Sequence, residues 1–441
     1  MAARPVQGDR TMIAVTALMT ALASPGDASV FATSLALVGD LNGDKASEVL
    51  VGSPSDGEKN RGKAFLFSGK DGALLRTLDG PSPASGFGLA LDALGDVDAD
   101  GLPDFAIGAP YVTSDRPDSR ATGLVLLVSG KDGTTLRAIP PGPDERYFGT
   151  DLVALGDLDQ DKQDDLLVRA RVGAGETEHE RFVAISTATG KRLFAVDSPP
   201  GVTSHDLGRP LARLPDVDAD SIPDFAVEFG SEVHVRSGRD GRNLLTLSSP
   251  LPPDVRSAFG FSICAVPGRP VLVAVGDPRE ETHGSIRLLP IVLGEGAEQR
   301  AASEKALYLL GDEGLSGVGC SLALAGDLNA DGAPDLVVGL SDGRSGGLMV
   351  VSTKDLEVSR AIEAEPPGEG KIPIGWRVAA GRDLDGDGTA DVAVARHWPT
   401  APVTALRGVV ILSGKDGKRL REISSPGLAA TPKPAEPKNP K

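Results

Sequence analysis

Phe87-Gly88-Leu-Ala-Leu-Asp-Ala-Leu-Gly-Asp96-Val-Asp98-Ala-Asp100-Gly-Leu-Pro-Asp104-Phe-Ala-Ile-Gly108-Ala-Pro110 recurs in outline seven times along the chain. Each copy has an apolar residue followed by glycine, with an aspartate nine residues after the apolar one. Phe148-Gly149 leads to Asp157, Leu207-Gly208 to Asp216, Val318-Gly319 to Asp327 and Ile374-Gly375 to Asp383. The first copy is worn, with Phe31-Ala32 ahead of Asp40, and the fifth keeps Phe259-Gly260 without the acids. Successive leading residues stand 56, 61, 59, 52, 59 and 56 apart. A period of this kind marks a repeat architecture.

Each unit reads as four strands. In the second copy, residues 87–94 alternate as a first strand, and Asp104-Phe-Ala-Ile-Gly-Ala-Pro110 is a short buried run ended by Gly and Pro. Residues 123–129 give a third strand, Gly130-Lys-Asp-Gly133 a turn of the Asp-Gly hairpin type, and residues 134–139 a fourth strand. The turn returns at 68–72, 237–241 and 413–417. One such sheet cannot bury both faces, but seven around an axis can. The expected fold is all-β, a seven-bladed β-propeller of four-stranded antiparallel blades over residues 31–424. Kelch-type and WD40-type propellers share four-stranded blades, but neither predicts an acidic loop between the first two strands.

Composition agrees. With 55 Gly and 34 Pro the chain turns often, and no apolar run is long enough to span a bilayer. The net charge of −17 argues against nucleic acid, whose phosphates need a basic surface. The acids come in short clusters, which points to cations as partners. Cys264 and Cys320 show no metal spacing, and free buried thiols are the favoured reading over a disulfide. Residues 1–30 have two readings. Arg4 and Arg10, the apolar run 12–23 and Ser24-Pro25 resemble a secretory signal, while the likeness of 20–31 to 77–87 suggests a structural strand. Residues 425–441, rich in Pro and Lys, read as disordered linker.

The acidic loops carry the chemistry. Oxygen donors fall at positions one, three, five and nine: Asp40, Asn42, Asp44 and Glu48; Asp96, Asp98, Asp100 and Asp104; Asp157, Asp159, Asp161 and Asp165. The later copies give Asp216, Asp218, Asp220 and Asp224; Asp327, Asn329, Asp331 and Asp335; and Asp383, Asp385, Asp387 and Asp391. A hard cation such as Ca²⁺ takes six to eight oxygens, and a loop curled around it presents alternate residues inward. Six such loops in register are costly without a counter-cation. The expectation is up to six Ca²⁺, which would move the charge from −17 to −5.

Phe87-Gly88, the acidic loop and Gly108-Ala109-Pro110 together resemble the FG-GAP repeat of integrin α chains. The resemblance covers roughly residues 31–424. It implies a seven-bladed propeller with Ca²⁺ on its lower face, held by the four side chains of each loop. Lys45, Lys162 and Ser221 replace the glycine of position six, which weakens the first, third and fourth sites in this reading. The fifth copy, Val266-Pro-Gly-Arg-Pro-Val271, has no site. No adhesion domain interrupts the blades.

Other motifs lead nowhere. Gly339-Leu-Ser341-Asp-Gly343 matches the serine-hydrolase elbow, which needs a strand followed by a helix, yet a strand is expected next. His179, His205, His234, His283 and His397 show no metal spacing. Function is therefore expected to be binding rather than catalysis: a monomeric, secreted, periplasmic or cell-surface scaffold for a protein or glycan partner. A lectin-like module using Tyr111 and Trp398, in the loops opposite the acidic face, is the alternative, and a propeller enzyme a third reading.

Overall fold

The computed structural model describes residues 31–113, 121–202, 211–249, 257–280, 283–293, 307–311, 317–341, 346–363, 374–396 and 408–426. Residues 1–30, with their two readings, lie outside these, as do Trp398 and the tail from 427 onward.

Seven four-stranded antiparallel sheets follow one another along the chain. The first blade has β1 (Ser34–Val38), β2 (Glu48–Ser53), β3 (Lys63–Ser68) and β4 (Leu74–Asp79). The second has β5 (Leu91–Ala93), β6 (Phe105–Gly108), β7 (Val125–Val128) and β8 (Thr135–Ile139). The third has β9 (Leu152–Gly156), β10 (Asp165–Val172), β11 (His179–Ile185) and β12 (Arg192–Asp197). The fourth has β13 (Leu211–Arg213), β14 (Phe225–Phe229), β15 (Glu232–Arg236) and β16 (Asn243–Ser248). The fifth has β17 (Ser262–Val266), β18 (Leu272–Asp277), β19 (Ser285–Pro290) and β20 (Leu307–Leu310). The sixth has β21 (Val318–Leu324), β22 (Asp335–Ser341), β23 (Gly346–Ser352) and β24 (Val358–Glu363). The seventh has β25 (Arg377–Arg382), β26 (Asp391–Arg396), β27 (Gly408–Leu412) and β28 (Arg419–Ser424). The innermost strands touch in chain order, and β25 touches β1, so the ring closes. The protein is a seven-bladed β-propeller, as the repeat predicts.

The core sits in the seams between blades. Phe31, Val49, Val51, Phe65 and Phe67 of the first blade pack on Ala393, Val409 and Ile411 of the seventh. Phe87 belongs to the seam between blades one and two, and Phe148 to that between two and three. Phe259, Val318 and Ile374 take the same place in later seams. Six of the repeats thus each contribute one large apolar residue to the contact with the preceding blade, worth about 1.5–3 kcal/mol when fully buried, while Leu207 of the fourth lies outside the described residues.

The glycine after that residue has a steric cause. Gly88, Gly149, Gly319 and Gly375 all have φ between 83° and 111°. Their carbonyls press on the glycine of the preceding blade's second strand. A Cβ at Gly52 would stand 2.0 Å from the Gly88 oxygen, and one at Gly108 would stand 2.1 Å from that of Gly149. Ala32 accepts the same left-handed geometry, φ 62°, in the worn first copy. β5 starts at Leu91 rather than at Phe87 as the alternation suggests, whereas β21 includes its leading Val318.

The recurring Gly-Lys-Asp-Gly turn is wider than a two-residue hairpin. Ser129 N–H donates to the Thr134 carbonyl and Gly133 N–H to that of Ser129, so residues 130–133 form the loop. Gly133 has φ 78°, while Lys131 and Asp132 are not left-handed, unlike a type I′ turn. Antiparallel order places this turn and the acidic loop at the same end of each blade.

Candidate metal centres

Each acidic loop is fastened by its own amides. Asp96 accepts N–H from Asp100 at 2.9 Å and from Gly101 at 2.8 Å. Asp98 accepts the Asp100 amide at 3.1 Å, and Asp100 accepts that of Leu102 at 3.0 Å. The ninth residue, Asp104, accepts Val97 N–H through Oδ2 at 2.7 Å and Gly130 N–H through Oδ1 at 3.0 Å. Asp391 repeats this with Leu384 and Gly414, both at 2.9 Å, and Asp224 with Val217 at 2.7 Å and Gly238 at 3.0 Å. These amides orient the carboxylates toward a common centre.

Oxygens of Asp40, Asp44 and Glu48 lie within 4.8 Å of one another, as do those of Asp96, Asp98 and Asp104. The same holds for Asp157, Asp159 and Asp165, for Asp216, Asp218 and Asp224, and for Asp383, Asp385 and Asp391, by the same 4.8 Å measure. Asp100, Asp161, Asp220 and Asp387 of position five stand outside these triples. The sixth loop, Asp327 to Asp335, forms no such triple among the described residues. There Asp331 Oδ2 is held by the Ser352 hydroxyl at 2.7 Å and the Asn329 amide at 3.0 Å.

The ninth residue of every loop is wholly buried. Burial raises the carboxyl of Glu48 to about 7, with the charges of Asp40 and Asp44 adding to it. Burial, with the neighbouring carboxylates, likewise raises Asp165 to about 7 and Asp224 to about 6. Asp104, Asp335 and Asp391 move in the same direction for the same reasons. Glu48 Oε1, Asp218 Oδ1 and Asp335 Oδ1 are buried without a hydrogen-bond partner. Buried unpaired carboxylate oxygens are costly, and an all-oxygen donor set of this kind suits a hard divalent cation. The residues present fit such an ion.

Position six keeps its conformation where glycine is replaced. Lys45, Lys162 and Ser221 have φ of 73°, 76° and 70°, beside 91° at Gly101. Their amides make the same bonds, to Asp40 at 2.8 Å, Asp157 at 2.9 Å and Asp216 at 2.8 Å. Nothing stands within 4 Å of the Cβ position at Gly101, Gly332 or Gly388, so a side chain there enters solvent. The loop conformation therefore survives the loss of glycine. Position four is left-handed too, at Gly43, Ala99, Gln160, Ala219, Ala330 and Gly386.

Two arginines went unnoticed in the sequence. Arg239 Nε donates to Asp220 Oδ2 at 2.7 Å, and Arg242 donates to Asp218 Oδ2. Both come from the Ser237-Gly-Arg-Asp-Gly-Arg242 turn, where two arginines replace the Lys and small residue of the second-blade turn. The turn also explains its leading glycine: a Cβ at Gly130 would be 1.9 Å from the Pro103 carbonyl. Thr187 and Thr353 replace that glycine in blades three and six, and their hydroxyls donate to the carbonyls of Asp164 and Pro334 at 2.6 Å.

Elsewhere, Ser341 ends β22 and β23 follows as its antiparallel neighbour, so the elbow motif lies between two strands. Cys264 and Cys320 are free, and burial pushes both thiols up to about 12. Tyr111 meets Tyr147 edge-on, ring centroids 6.2 Å apart, at the end opposite the acidic loops.

The family model for the FG-GAP repeat matches residues 87–127 and 374–400. The chain carries FG-GAP repeats. It is similar to integrin alpha-5 of Xenopus laevis, 33% identical over 183 residues, which are 40% of this chain and 17% of the relative. It is also similar to integrin alpha-V of Gallus gallus, 32% identical over 45% of this chain and 20% of the relative. Human integrin alpha-IIb is 32% identical over 40% of this chain and 18% of its own length. The matches thus span about a fifth of these integrin chains. Against the solved structure of BBS1N in complex with ARL6DN the TM-score is 0.47 at 13% identity, covering 92% of this chain and 95% of that one. Among the described residues no helix is long and apolar enough to cross a membrane.

Proposed function

We propose that this FG-GAP propeller is a Ca²⁺-stabilised interaction scaffold, working outside the cytoplasm or at a cell surface and docking a protein partner. The observation that supports it most is the set of buried carboxylate oxygens without partners at Glu48, Asp218 and Asp335. In this reading the side chains at positions one, three, five and nine of each loop hold one ion. Bound ions screen carboxylates that otherwise repel one another, and so hold the lower face of the ring rigid. The opposite face, away from the ions, is left for the partner. Similarity to integrin α chains supports adhesion or interaction over turnover.

Binding that is confined to the folded state stabilises by mass action. Millimolar Ca²⁺ is expected to raise the melting temperature, and a chelator to lower it, given affinities of roughly 10⁻⁴–10⁻³ M for extracellular modules. An unchanged melting curve across that range removes the calcium assignment. Pull-down with the calcium-loaded protein from its own cell surface or medium then identifies the partner. The Tyr111–Tyr147 pair favours a second reading, a glycan partner, which binding to a glycan array lost on Tyr111→Ala would support.

A further inference from the structure

We propose that an arginine on the outer strand of one blade is a positioning residue for the acidic loop of the next blade. Ion binding and blade docking are then coupled across the seams. This rests on the reading of the acidic loops as ion sites.

The connection runs through the turn between the third and fourth strands. Arg76 on β4 donates to the carbonyls of Gly130 at 2.9 Å and Lys131 at 2.8 Å in the second blade. The same Gly130 donates its N–H to Asp104, the ninth residue of the second loop, at 3.0 Å. Arg360 on β24 repeats the arrangement, reaching Gly414 at 2.8 Å and Lys415 at 3.1 Å. Gly414 N–H in turn donates to Asp391 at 2.9 Å. Arg137 on β8 reaches Ala188 at 2.7 Å and Thr189 at 3.2 Å, next to Thr187, whose amide donates to Asp165 at 3.3 Å. Arg421 on β28 takes the Gly69 carbonyl, so the arginine half of the device recurs at the closure of the ring, where Glu48 Oε1 accepts no amide.

Packing reinforces the fork. A Cβ at Gly133 would come 2.5 Å from Arg76 Cδ, and one at Gly417 would come 2.9 Å from Arg360 Cδ. The turn is therefore clasped between a guanidinium of the preceding blade and a carboxylate of its own. Arginine suits this place because its planar donors meet two neighbouring carbonyls at once, whereas lysine offers a point charge. Removing the fork frees the turn, and with it one of the two amides that aim the ninth carboxylate. Partners that orient metal ligands typically govern affinity by about 10–100-fold, and an arginine one step further out is expected to act less strongly.

The third-to-fourth seam is a natural contrast. Phe194 occupies the arginine's place on β12 and stacks on Phe225, centroids 6.0 Å apart at 17°. The fourth loop is instead held by Arg239 and Arg242 of its own blade.

The test uses the full chain with Arg360→Leu and Arg76→Leu, plus Arg360→Lys should the leucine variant fail to fold. Calcium is stripped with a chelator and titrated back while hydrogen exchange is followed by mass spectrometry. For Arg360→Leu, calcium-dependent protection of residues 383–391 is expected to need roughly five- to tenfold more calcium. Residues 96–104 keep their midpoint. Arg76→Leu gives the reverse pattern, and Arg360→Lys a smaller shift at 383–391. By reciprocity, calcium slows exchange along β24 in the unmodified protein and not in Arg360→Leu. An arginine with only a structural role lowers the melting temperature and leaves the calcium midpoint of the loop unchanged, and that result overturns the coupling alone. Absence of calcium-dependent protection in the unmodified protein overturns the ion reading itself, and this proposal with it.

Discussion

Lys162 stands at position six of the third loop with φ 76° and its side chain exposed. Its amide still reaches Asp157 at 2.9 Å, so the turn forms despite a Cβ that costs about 1–2 kcal/mol in this conformation. Lys162→Gly is therefore expected to raise stability by about 1 kcal/mol in urea unfolding. The calcium midpoint of the third loop should stay within about twofold, because the backbone donors are already in place and an exposed charge is screened. A tenfold tightening would restore the view that the residue type at this position governs the site. Asp104 is a different case, since two amides depend on it. Asp104→Ala should cost about 2–4 kcal/mol, from acceptors lost to buried donors. It should also remove one ion in native mass spectrometry. The acidic positions of each loop were legible because oxygen side chains recur there in fixed register. The left-handed fourth position was not, as Ala99, Gln160, Ala219 and Ala330 carry no turn signature.

At the scale of a blade, the third departs from the rest. Arg169 stands on β10 where blades one, two, five and six have the glycine of the second strand, and it forks onto Glu180 of β11 at 2.8 and 3.0 Å. Arg171 adds a contact at 3.3 Å. Glu180 is wholly buried, and burial alone would raise its carboxyl. The charges and hydrogen bonds of Arg169 and Arg171 outweigh that and hold it below its ordinary 4.5. A depressed folded value means that the pair's stability is present above pH 4.5 and is lost as the pH falls toward the folded value. Glu180→Gln leaves the guanidinium buried without its counter-charge and should cost about 3 kcal/mol near neutrality. Chemical denaturation between pH 7 and 3 should show the gap from the unmodified protein shrinking below the glutamate range. A gap independent of pH would mean that shape, and not charge, is what Glu180 supplies. Strand identity was legible from short apolar runs between Gly and Pro. The buried ion pair lay hidden in the same run, because Asp165-Leu-Leu-Val-Arg169 departs from Asp104-Phe-Ala-Ile-Gly108 most tellingly in its last residue.

The ring as a whole was legible because seven copies of one pattern leave no other way to bury both faces of every sheet. What the repeat could not show is how the last blade meets the first. All four described strands of each of these two blades come from residues 34–79 and 377–424. Six seams are crossed by the chain as it runs from an outer strand to the next inner one. The seventh is held by packing and side chains, among them Phe31, Phe65 and Phe67 of the first blade on Ala393, Val409 and Ile411 of the seventh, and Arg421 on the Gly69 carbonyl. Phe31→Ala and Phe148→Ala each delete a wholly buried ring from an equivalent place. Both should lose about 3–5 kcal/mol. Only the first weakens a seam that no peptide bond bridges. Opening there exposes the apolar faces of blades one and seven together, and such patches associate. Light scattering at rising protein concentration should then show Phe31→Ala associating well below its melting temperature, while Phe148→Ala keeps the mass of the unmodified protein. Equal behaviour of the two variants would mean that the closing seam is no weaker than the others, and that docking between blades, rather than chain connectivity, holds the ring shut.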